Sequence, residues 1–202
     1  AKNEKGSIAG ATYDSVLSGV SASQIASETT KTVELDGTDV TFTLAETSTS
    51  GTWDLSTNAV SDQSGQVVHI DNTSINDVTI TNNGTIWSTE NNAIEMDGTT
   101  ISNTATITNN TDATIRSDST ALDEAAIAIK DTTGSLNINN VGTITSKAQG
   151  ILNSGSTIAS LTNSGTLSTT GTGTSSDING SLRNTGASTI TTLTNSGTMK
   201  GT

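Results

Sequence analysis

The strongest constraint on the fold of this chain is a short frame that recurs along its second half. The frame reads apolar residue, any residue, Asn, any residue, Gly-Thr, apolar residue. It occurs at 80–86 (ITNNGTI), 138–144 (INNVGTI), 161–167 (LTNSGTL) and 193–199 (LTNSGTM), with looser copies at 101–107 and 107–115. One copy has a single apolar residue at each edge and cannot bury itself, so it needs a neighbour stacked on it. The repeat therefore predicts a solenoid.

Composition decides between an ordered solenoid and a disordered chain. Only 30% of the 202 residues are hydrophobic and 2% are aromatic, with no Pro and no Cys, whereas globular domains average about 45–50% apolar residues with Gly counted. Low hydrophobicity with net charge is also typical of disorder. Thr and Ile, however, favour strands, and Asn and Gly favour the turns between them. We therefore expect an ordered, all-β solenoid with a thin core of small aliphatic side chains.

The irregular spacing of the repeats indicates which solenoid this is. The first apolar positions are Ile80, Ile107, Ile138, Leu161 and Leu193, so the spacings are 27, 31, 23 and 32 residues. Leucine-rich repeats need a more regular period, and the calcium-binding GGxGxD array is absent. A parallel β-helix accepts insertions at its corners. Further short strands are predicted at 92–96, 126–129, 150–152 and 178–182.

The frame also predicts the structural residues of the solenoid. Stacked Asn side chains suit a corner and bond to one another along the axis of stacked strands, and a Gly two residues later suits a positive φ. These turn and ladder positions are Asn82, Gly84, Asn140, Gly142, Asn163, Gly165, Asn195 and Gly197. The predicted inward residues are Ile80, Ile86, Ile94, Met96, Ile101, Ile107, Ile115, Ile127, Ile129, Ile138, Ile144, Ile151, Ile158, Leu161, Leu167, Ile178, Leu182, Ile190, Leu193 and Met199.

Residues 1–75 do not carry the repeat and are expected to form an N-terminal cap or docking arm, with residues 76–202 as the β-helix. Alternating apolar residues flank Asp36-Gly37, which predicts a hairpin over 32–44. Apolar residues at 13, 16, 17 and 20 have helical spacing, although the many Ser residues there also suit a flexible leader. This segment is therefore a short helix, a strand or an unstructured arm.

The stretch 142–167 (GTITSKAQGILNSGSTIASLTNSGTL) resembles the passenger domains of bacterial autotransporters, whose degenerate repeats have the same grammar. The best matches are NSGTL at 163–167 and NSGTM at 195–199, and the likeness covers about residues 75–202. The resemblance implies a right-handed parallel β-helix that is exported to the bacterial cell surface and is often adhesive.

The sequence offers little to support catalysis or nucleic-acid binding. The net charge is −12, and the 8 Lys and Arg residues are scattered, so no basic patch faces phosphates. The single histidine, His69, has no partner identifiable from the sequence. The densest charged stretch, 112–131, is favoured as a solvated loop. We expect no cofactor, while weak calcium binding by Asp71, Asp77 or that stretch stays open without a motif.

These features predict a non-enzymatic protein. The first hypothesis is a secreted structural subunit that stacks end to end with itself, because the last frame ends three residues before the end of the sequence and predicts an uncapped end. The second is an adhesin that binds host or glycan surfaces, and a remote third is a polysaccharide lyase or hydrolase. A start at Ala1 is typical of a secreted protein whose signal peptide has been removed. No apolar run is long enough for membrane insertion.

Overall fold

Short runs in which Thr or Asn alternates with Ile or Leu form most of the regular structure. The structure is a computed structural model that describes the backbone of residues 5–8, 11–12, 30–35, 38–47, 50–57, 60–63, 66, 68–71, 74–171 and 180–201. Side-chain environments are described for residues 66, 68–70, 77–171 and 180–201. Every helix or strand assigned in these ranges is a β-strand, as the β-branched composition favours.

Six strands precede the repeats: β1 (Lys5–Ile8), β2 (Ala11–Thr12), β3 (Thr30–Leu35), β4 (Thr38–Thr47), β5 (Ser50–Thr57) and β6 (Val60–Gln63). The following fifteen strands form five triplets, which we call rungs 1 to 5. Rung 1 is β7 (Val68–Asp71), β8 (Ser74–Asn82) and β9 (Thr85–Ser88); rung 2 is β10 (Ile94–Asp97), β11 (Thr100–Asn109) and β12 (Thr114–Ser117). Rung 3 is β13 (Ala125–Lys130), β14 (Thr133–Asn140) and β15 (Thr143–Ser146); rung 4 is β16 (Gln149–Ser154), β17 (Thr157–Asn163) and β18 (Thr166–Thr169). Rung 5, the terminal rung, is β19 (Leu182–Thr185), β20 (Thr189–Asn195) and β21 (Thr198–Lys200).

Each rung contributes one strand to each of three sheets. Sheet A has the order β2-β1-β7-β10-β13-β16-β19, sheet B the order β3-β4-β5-β8-β11-β14-β17-β20, and sheet C the order β6-β9-β12-β15-β18-β21. All pairings between successive rungs are parallel. The predicted all-β architecture, a parallel β-solenoid, is confirmed.

The core consists of stacks of aliphatic side chains, and each rung contributes one residue to each stack. In sheet B the first apolar residue of every frame lies in register, giving the stack Ile80, Ile107, Ile138, Leu161 and Leu193. In sheet C the second apolar residue does the same, giving Ile86, Ile115, Ile144, Leu167 and Met199. Because successive side chains of a strand point to opposite faces, one apolar residue in two is enough to fill this interior.

Most of the predicted inward residues are in the core. All of them from Ile80 to Leu167 are buried, and Leu182, Ile190 and Met199 pack against the core while partly buried. The prediction was wrong for Leu193, which lies in register above Leu161 but is 49% exposed. Within the described residues no rung lies beyond it, so its side chain is covered from one side only. Ile178 lies outside the described residues.

One corner absorbs most of the irregular spacing of the repeats. The connections from sheet C to sheet A comprise residues 89–93, 118–124 and 147–148, and β18 and β19 are separated by residues 170–181, of which 172–179 lie outside the described residues. The connections from sheet A to sheet B stay short. The segments predicted at 92–96, 126–129 and 150–152 overlap β10, β13 and β16. The fourth, 178–182, joins β19 only at Leu182, and residues 178 and 179 lie outside the described residues.

The strands before rung 1 extend the sheets in a different pattern. β3 and β4 pair antiparallel across Asp36-Gly37, and β4 pairs antiparallel with β5. β1 lies antiparallel to both β7 and β2, while β6 continues sheet C in parallel. In sheet A the direction reverses from β7 to β1 and again from β1 to β2, and in sheet B it reverses from β5 to β4 and again from β4 to β3. Therefore β2 and β3, like β6, run parallel to the rung strands of their sheets. The segment with helical spacing, 13–20, lies outside the described residues.

Candidate functional site: the asparagine ladder and the terminal rung

A continuous ladder of asparagine side chains runs along the corner between sheets B and C. Each sheet-B strand of the five rungs ends in Asn, and the strand register aligns them as Asn82, Asn109, Asn140, Asn163 and Asn195. The amide Nδ2 of each donates to Oδ1 of the next, at 2.9, 2.8, 2.7 and 2.7 Å in chain order. These five residues are called the asparagine ladder below.

The amides of the first four ladder residues also bond the backbone of the next rung. Asn109 Nδ2 donates to the carbonyl of Thr143 at 3.0 Å, and Asn140 Nδ2 donates to the carbonyl of Thr166 at 2.9 Å. The first four ladder side chains are buried, where an unpaired amide would carry a large desolvation cost. The ladder therefore satisfies buried polar groups and fastens each rung to the following one.

Asn109 is the ladder residue that the sequence frame missed. Its strand ends in I-T-N, which matches the apolar-x-Asn ending of the others, but residues 110–113 replace the usual x-Gly before Thr114. The longer turn includes Asp112, which has a positive φ of 64°. The apolar-x-Asn triplet at the end of the strand was the one sequence signal for this ladder position, because the turn that follows the triplet varies in length.

The predicted positive φ of the frame glycines was wrong. Gly84, Gly142, Gly165 and Gly197 are not among the described residues with positive φ. Close approach between rungs is what requires Gly here: a Cβ placed on Gly165 would lie 2.1 Å from the carbonyl oxygen of Gly142, and one on Gly197 would lie 2.1 Å from that of Gly165.

Four of the seven described residues with positive φ lie instead at the corner between sheets A and B. The residue directly after the sheet-A strand has positive φ in rungs 2 to 5, namely Gly98 (56°), Asp131 (43°), Gly155 (70°) and Gly186 (69°). A second, shorter ladder stands beside this corner, where Asn153 Nδ2 donates to Asn184 Oδ1 at 2.7 Å. Sequence reasoning did not identify this corner, because the four residues share no letter pattern.

The terminal rung presents an incomplete copy of every inter-rung contact. Asn195 receives the amide of Asn163, but its own Nδ2 donates only within the rung, to the carbonyl of Gly197 at 3.3 Å. Leu193 is 49% exposed, whereas Leu161 directly below it is fully buried. β19, β20 and β21 each have one strand neighbour among the described residues. The geometry of this surface fits one further rung of the same grammar.

The main cluster of ionisable side chains in the described residues lies on the outer face of sheet A. Strand register places Glu95 beside His69, and Glu95 Oε1 lies 3.5 Å from His69 Nε2 while Glu95 Oε2 lies 3.4 Å from Lys130 Nζ. Asn92 also donates to Glu95. His69 therefore has a partner that the sequence did not reveal, on a neighbouring strand.

The connection 118–124 covers part of this face. The carbonyl of Leu122 accepts from Gln149 Nε2 and, at 3.2 Å, from Arg183. Beneath the connection lies a small apolar cluster of Ala125, Ala128 and Leu152. The charged stretch 112–131 is thus divided among the turn after β11, the strands β12 and β13, and the connection 118–124.

No metal site emerges from these acidic residues. A depression of about 220 Å³ is lined by Asp97, Asp123, Lys130, Asp131, Leu152 and Ser154. Among residues 77–171 and 180–201 and the few described before them, no group of three His, Cys, Asp or Glu side chains is arranged to hold a metal ion. Likewise, no helix in the described part of the chain is long and apolar enough to cross a membrane.

The environment of the Glu95 carboxylate predicts that the fold loses stability in acid. Burial raises its pKa, but the hydrogen bond from His69, the charge of Lys130 and the amide of Asn92 outweigh burial and lower the pKa from 4.5 to about 2. A carboxylate with a lowered native pKa stabilises the fold above its unfolded pKa, and this stabilisation is lost as pH falls from about 4.5 towards 2. The shift corresponds to about 3 kcal/mol. Urea unfolding between pH 7 and pH 2 should show this loss in the native chain and a flatter profile in Glu95→Gln.

Two other glutamates, Glu124 and Glu90, refine that measurement. Burial raises the pKa of Glu124, whose Oε2 has no hydrogen-bond partner, so its ionisation destabilises the fold as pH rises and opposes the Glu95 effect. Glu124→Gln should therefore raise stability at pH 7. The exposed Glu90 is the matched control, and a Glu90→Gln profile as flat as that of Glu95→Gln would contradict the assignment.

Comparisons with known proteins found no match to the chain among protein-family models, curated proteins or solved structures.

Proposed function

We propose that this chain is a non-enzymatic structural subunit of an extracellular bacterial fibre, surface coat or biofilm matrix, built by end-to-end stacking of solenoids. The observation that supports the proposal is the repetition of the same inter-rung contacts, since Asn195 and Leu193 of rung 5 present to a further rung the groups with which Asn163 and Leu161 hold rung 5. Free strand edges of this kind template further strand pairing. A head-to-tail contact between copies does not close on itself and produces a filament.

The opposite end of the subunit offers a matching edge. β3 is the outermost strand of sheet B, and sheet B extends further before rung 1 than sheets A and C do. Since β3 runs in the same direction as β20, a second copy can add β3 to the edge of β20 as a parallel strand. Such a junction pairs the backbone edge of β20 with a strand of the second copy and reduces the exposure of Leu193.

The repeat grammar supports the extracellular location, since it resembles exported autotransporter passengers. The absence of Cys and the acidic net charge of −12 fit the same class of protein. Catalysis on glycans has little support, because Trp87 is the one aromatic residue between 75 and 202.

Electron microscopy of the purified chain at neutral pH, without added ligand, tests the proposal, and we expect filaments. Leu193→Lys should abolish them without lowering the melting temperature, because this side chain is already 49% exposed in the single subunit and a charge is costly only once the junction buries it. Leu122→Lys is the matched control, since Leu122 is also 49% exposed but lies in the connection 118–124.

Filaments that persist in Leu193→Lys would place the junction elsewhere. Isolated short rods of the native chain at high concentration would contradict assembly and favour an adhesin that binds host or glycan surfaces.

A further inference from the structure

A small cavity opens on the side of the rod, at the corner where sheet C leads into sheet A. The connection that leaves rung 3 at this corner has two residues, 147–148, whereas the connection 118–124 that leaves rung 2 has seven. The cavity beside the short connection has a volume of about 280 Å³. Its lining includes Arg116, Asp118, Thr145 and Lys147, and the other described lining residues are Ser or Thr. We call this cavity the basic notch.

The stacked rungs fix the walls of the basic notch. Arg116 in β12 lies in register with Thr145 in β15. Backbone hydrogen bonds continue past the end of these strands, where the amide of Lys147 donates to the carbonyl of Ser117 at 3.1 Å and the amide of Thr170 donates to the rung below at 2.9 Å. The side chains of the notch are therefore carried by hydrogen-bonded backbone and not by a long loop.

The Arg116 guanidinium is held in one orientation in the notch. It stacks over the Trp87 ring at 4.6 Å, and its Nε and Nη2 atoms both donate to the Asp118 carboxylate at 2.8 Å. Its Nη1 atom makes no hydrogen bond to any described residue. Because the guanidinium is already ordered, little conformational entropy is lost when Nη1 donates to a ligand.

The notch carries a surplus of positive charge in an acidic chain. Arg116 and Lys147 share the single carboxylate of Asp118, and Lys147 Nζ lies 3.9 Å from its Oδ2, which is too far for a hydrogen bond. Two cations and one carboxylate leave one positive charge, whereas the whole chain has a net charge of −12. One carboxylate balances this charge. A dianion such as phosphate would leave a negative excess, and the rest of the chain repels long polyanions.

The uncharged part of the lining favours a ligand that is rich in hydroxyl groups. Its described side chains are those of Ser117, Thr145, Ser146 and Thr170, all with hydroxyls. Thr145 Oγ1 accepts from Ser168 at 3.3 Å, so its own proton is left to donate to a ligand. The volume lies just below the range of about 300–1,000 Å³ for small-molecule sites, which suits one sugar ring. We infer that the basic notch binds a single sugar unit with one carboxylate, a uronic acid, either free or at the end of a glycan chain.

Saturation-transfer NMR tests the inference, because it observes the ligand and works with single subunits and with filaments. We expect the native chain to bind methyl glucuronide or methyl galacturonide, and to bind phosphate and the matching neutral methyl glycosides, which have CH₂OH in place of the carboxylate, much more weakly. Lys147→Gln should raise the Kd by about tenfold, since a hydrogen bond to a charged group is lost. Lys200→Gln is the matched control, because Lys200 is an exposed lysine of sheet C in rung 5, away from the notch. Melting curves establish that each variant is folded.

Three results would overturn the inference. The first is the absence of saturation transfer to both methyl uronides, and the second is binding of the neutral glycosides or of phosphate as tightly as the uronides. The third is an equal Kd for Lys147→Gln and Lys200→Gln. Competition by a neutral oligosaccharide that ends in glucuronate would identify a glycan chain as the source of the ligand, and its failure to compete would identify the free sugar acid. None of these results bears on filament formation, because the notch lies on the side of the rod and the proposed junction lies at its end.

Discussion

Replacing Asn140 with alanine is expected to lower the free energy of unfolding by about 3–5 kcal/mol, because one side chain removes several buried hydrogen bonds and leaves their partners unpaired. Asn140 accepts from Asn109 and donates to Asn163 and to the carbonyl of Thr166. Alanine restores none of these contacts, and the site is fully buried. Urea denaturation of the purified variant, monitored by circular dichroism, measures the loss.

Asn195→Ala is the matched control for that variant. Asn195 occupies the same ladder position in the exposed terminal rung, and its amide bonds only Gly197. Its replacement should cost less than half as much in the isolated subunit. Equal losses for Asn140→Ala and Asn195→Ala would show that stability does not depend on the buried part of the ladder.

Gly165→Ala is expected to destabilise the solenoid by about 2–3 kcal/mol or to prevent folding, since an added methyl group that has no room forces the backbone to move. Its Cβ would lie 2.1 Å from the carbonyl oxygen of Gly142 and 2.3 Å from that of Val141. Those atoms belong to the backbone of the neighbouring rung, so no side-chain rotation relieves the overlap. Thermal unfolding measures the effect.

Gly180→Ala shows what the same substitution costs without the overlap. Among the described residues, the nearest atom to a Cβ on Gly180 is the carbonyl oxygen of Leu182 at 3.4 Å, an ordinary contact, and Gly180 is not among those with a positive φ. We expect a change close to zero. A Gly165→Ala variant as stable as Gly180→Ala would mean that rungs 3 and 4 separate easily at this corner.

The parts of the fold that depend on local pattern were predictable from the sequence. Alternation of Thr with Ile or Leu fixes which face of a strand is buried, and this was enough to place residues such as Ile107 and Leu161 in the core. The Asn of the frame ends a strand at a constant position, so four of the five ladder residues could be named. Asn109 was missed because its turn has a different length.

The parts that depend on contacts between rungs were not predictable. The frame glycines are required by the backbone of a neighbouring rung, which a turn preference does not represent. Glu95 meets His69 only because the strand register sets them side by side after a connection of unpredictable length. Leu193 has the same local sequence as Leu161, and its exposure results from its position in the stack. In each case the deciding neighbour is about one rung away along the chain.

The corner between sheets C and A has a consequence for how such a rod can change. Its described connections range from two residues (147–148) to seven (118–124), while the strands on either side stay in register. Longer loops cost little extra closure entropy, so one edge of the rod can acquire new segments without altering the stacks inside. Evolution or protein design can therefore change the segments at this edge, which recur at each rung along the axis. The stacked strands that space those segments remain the same.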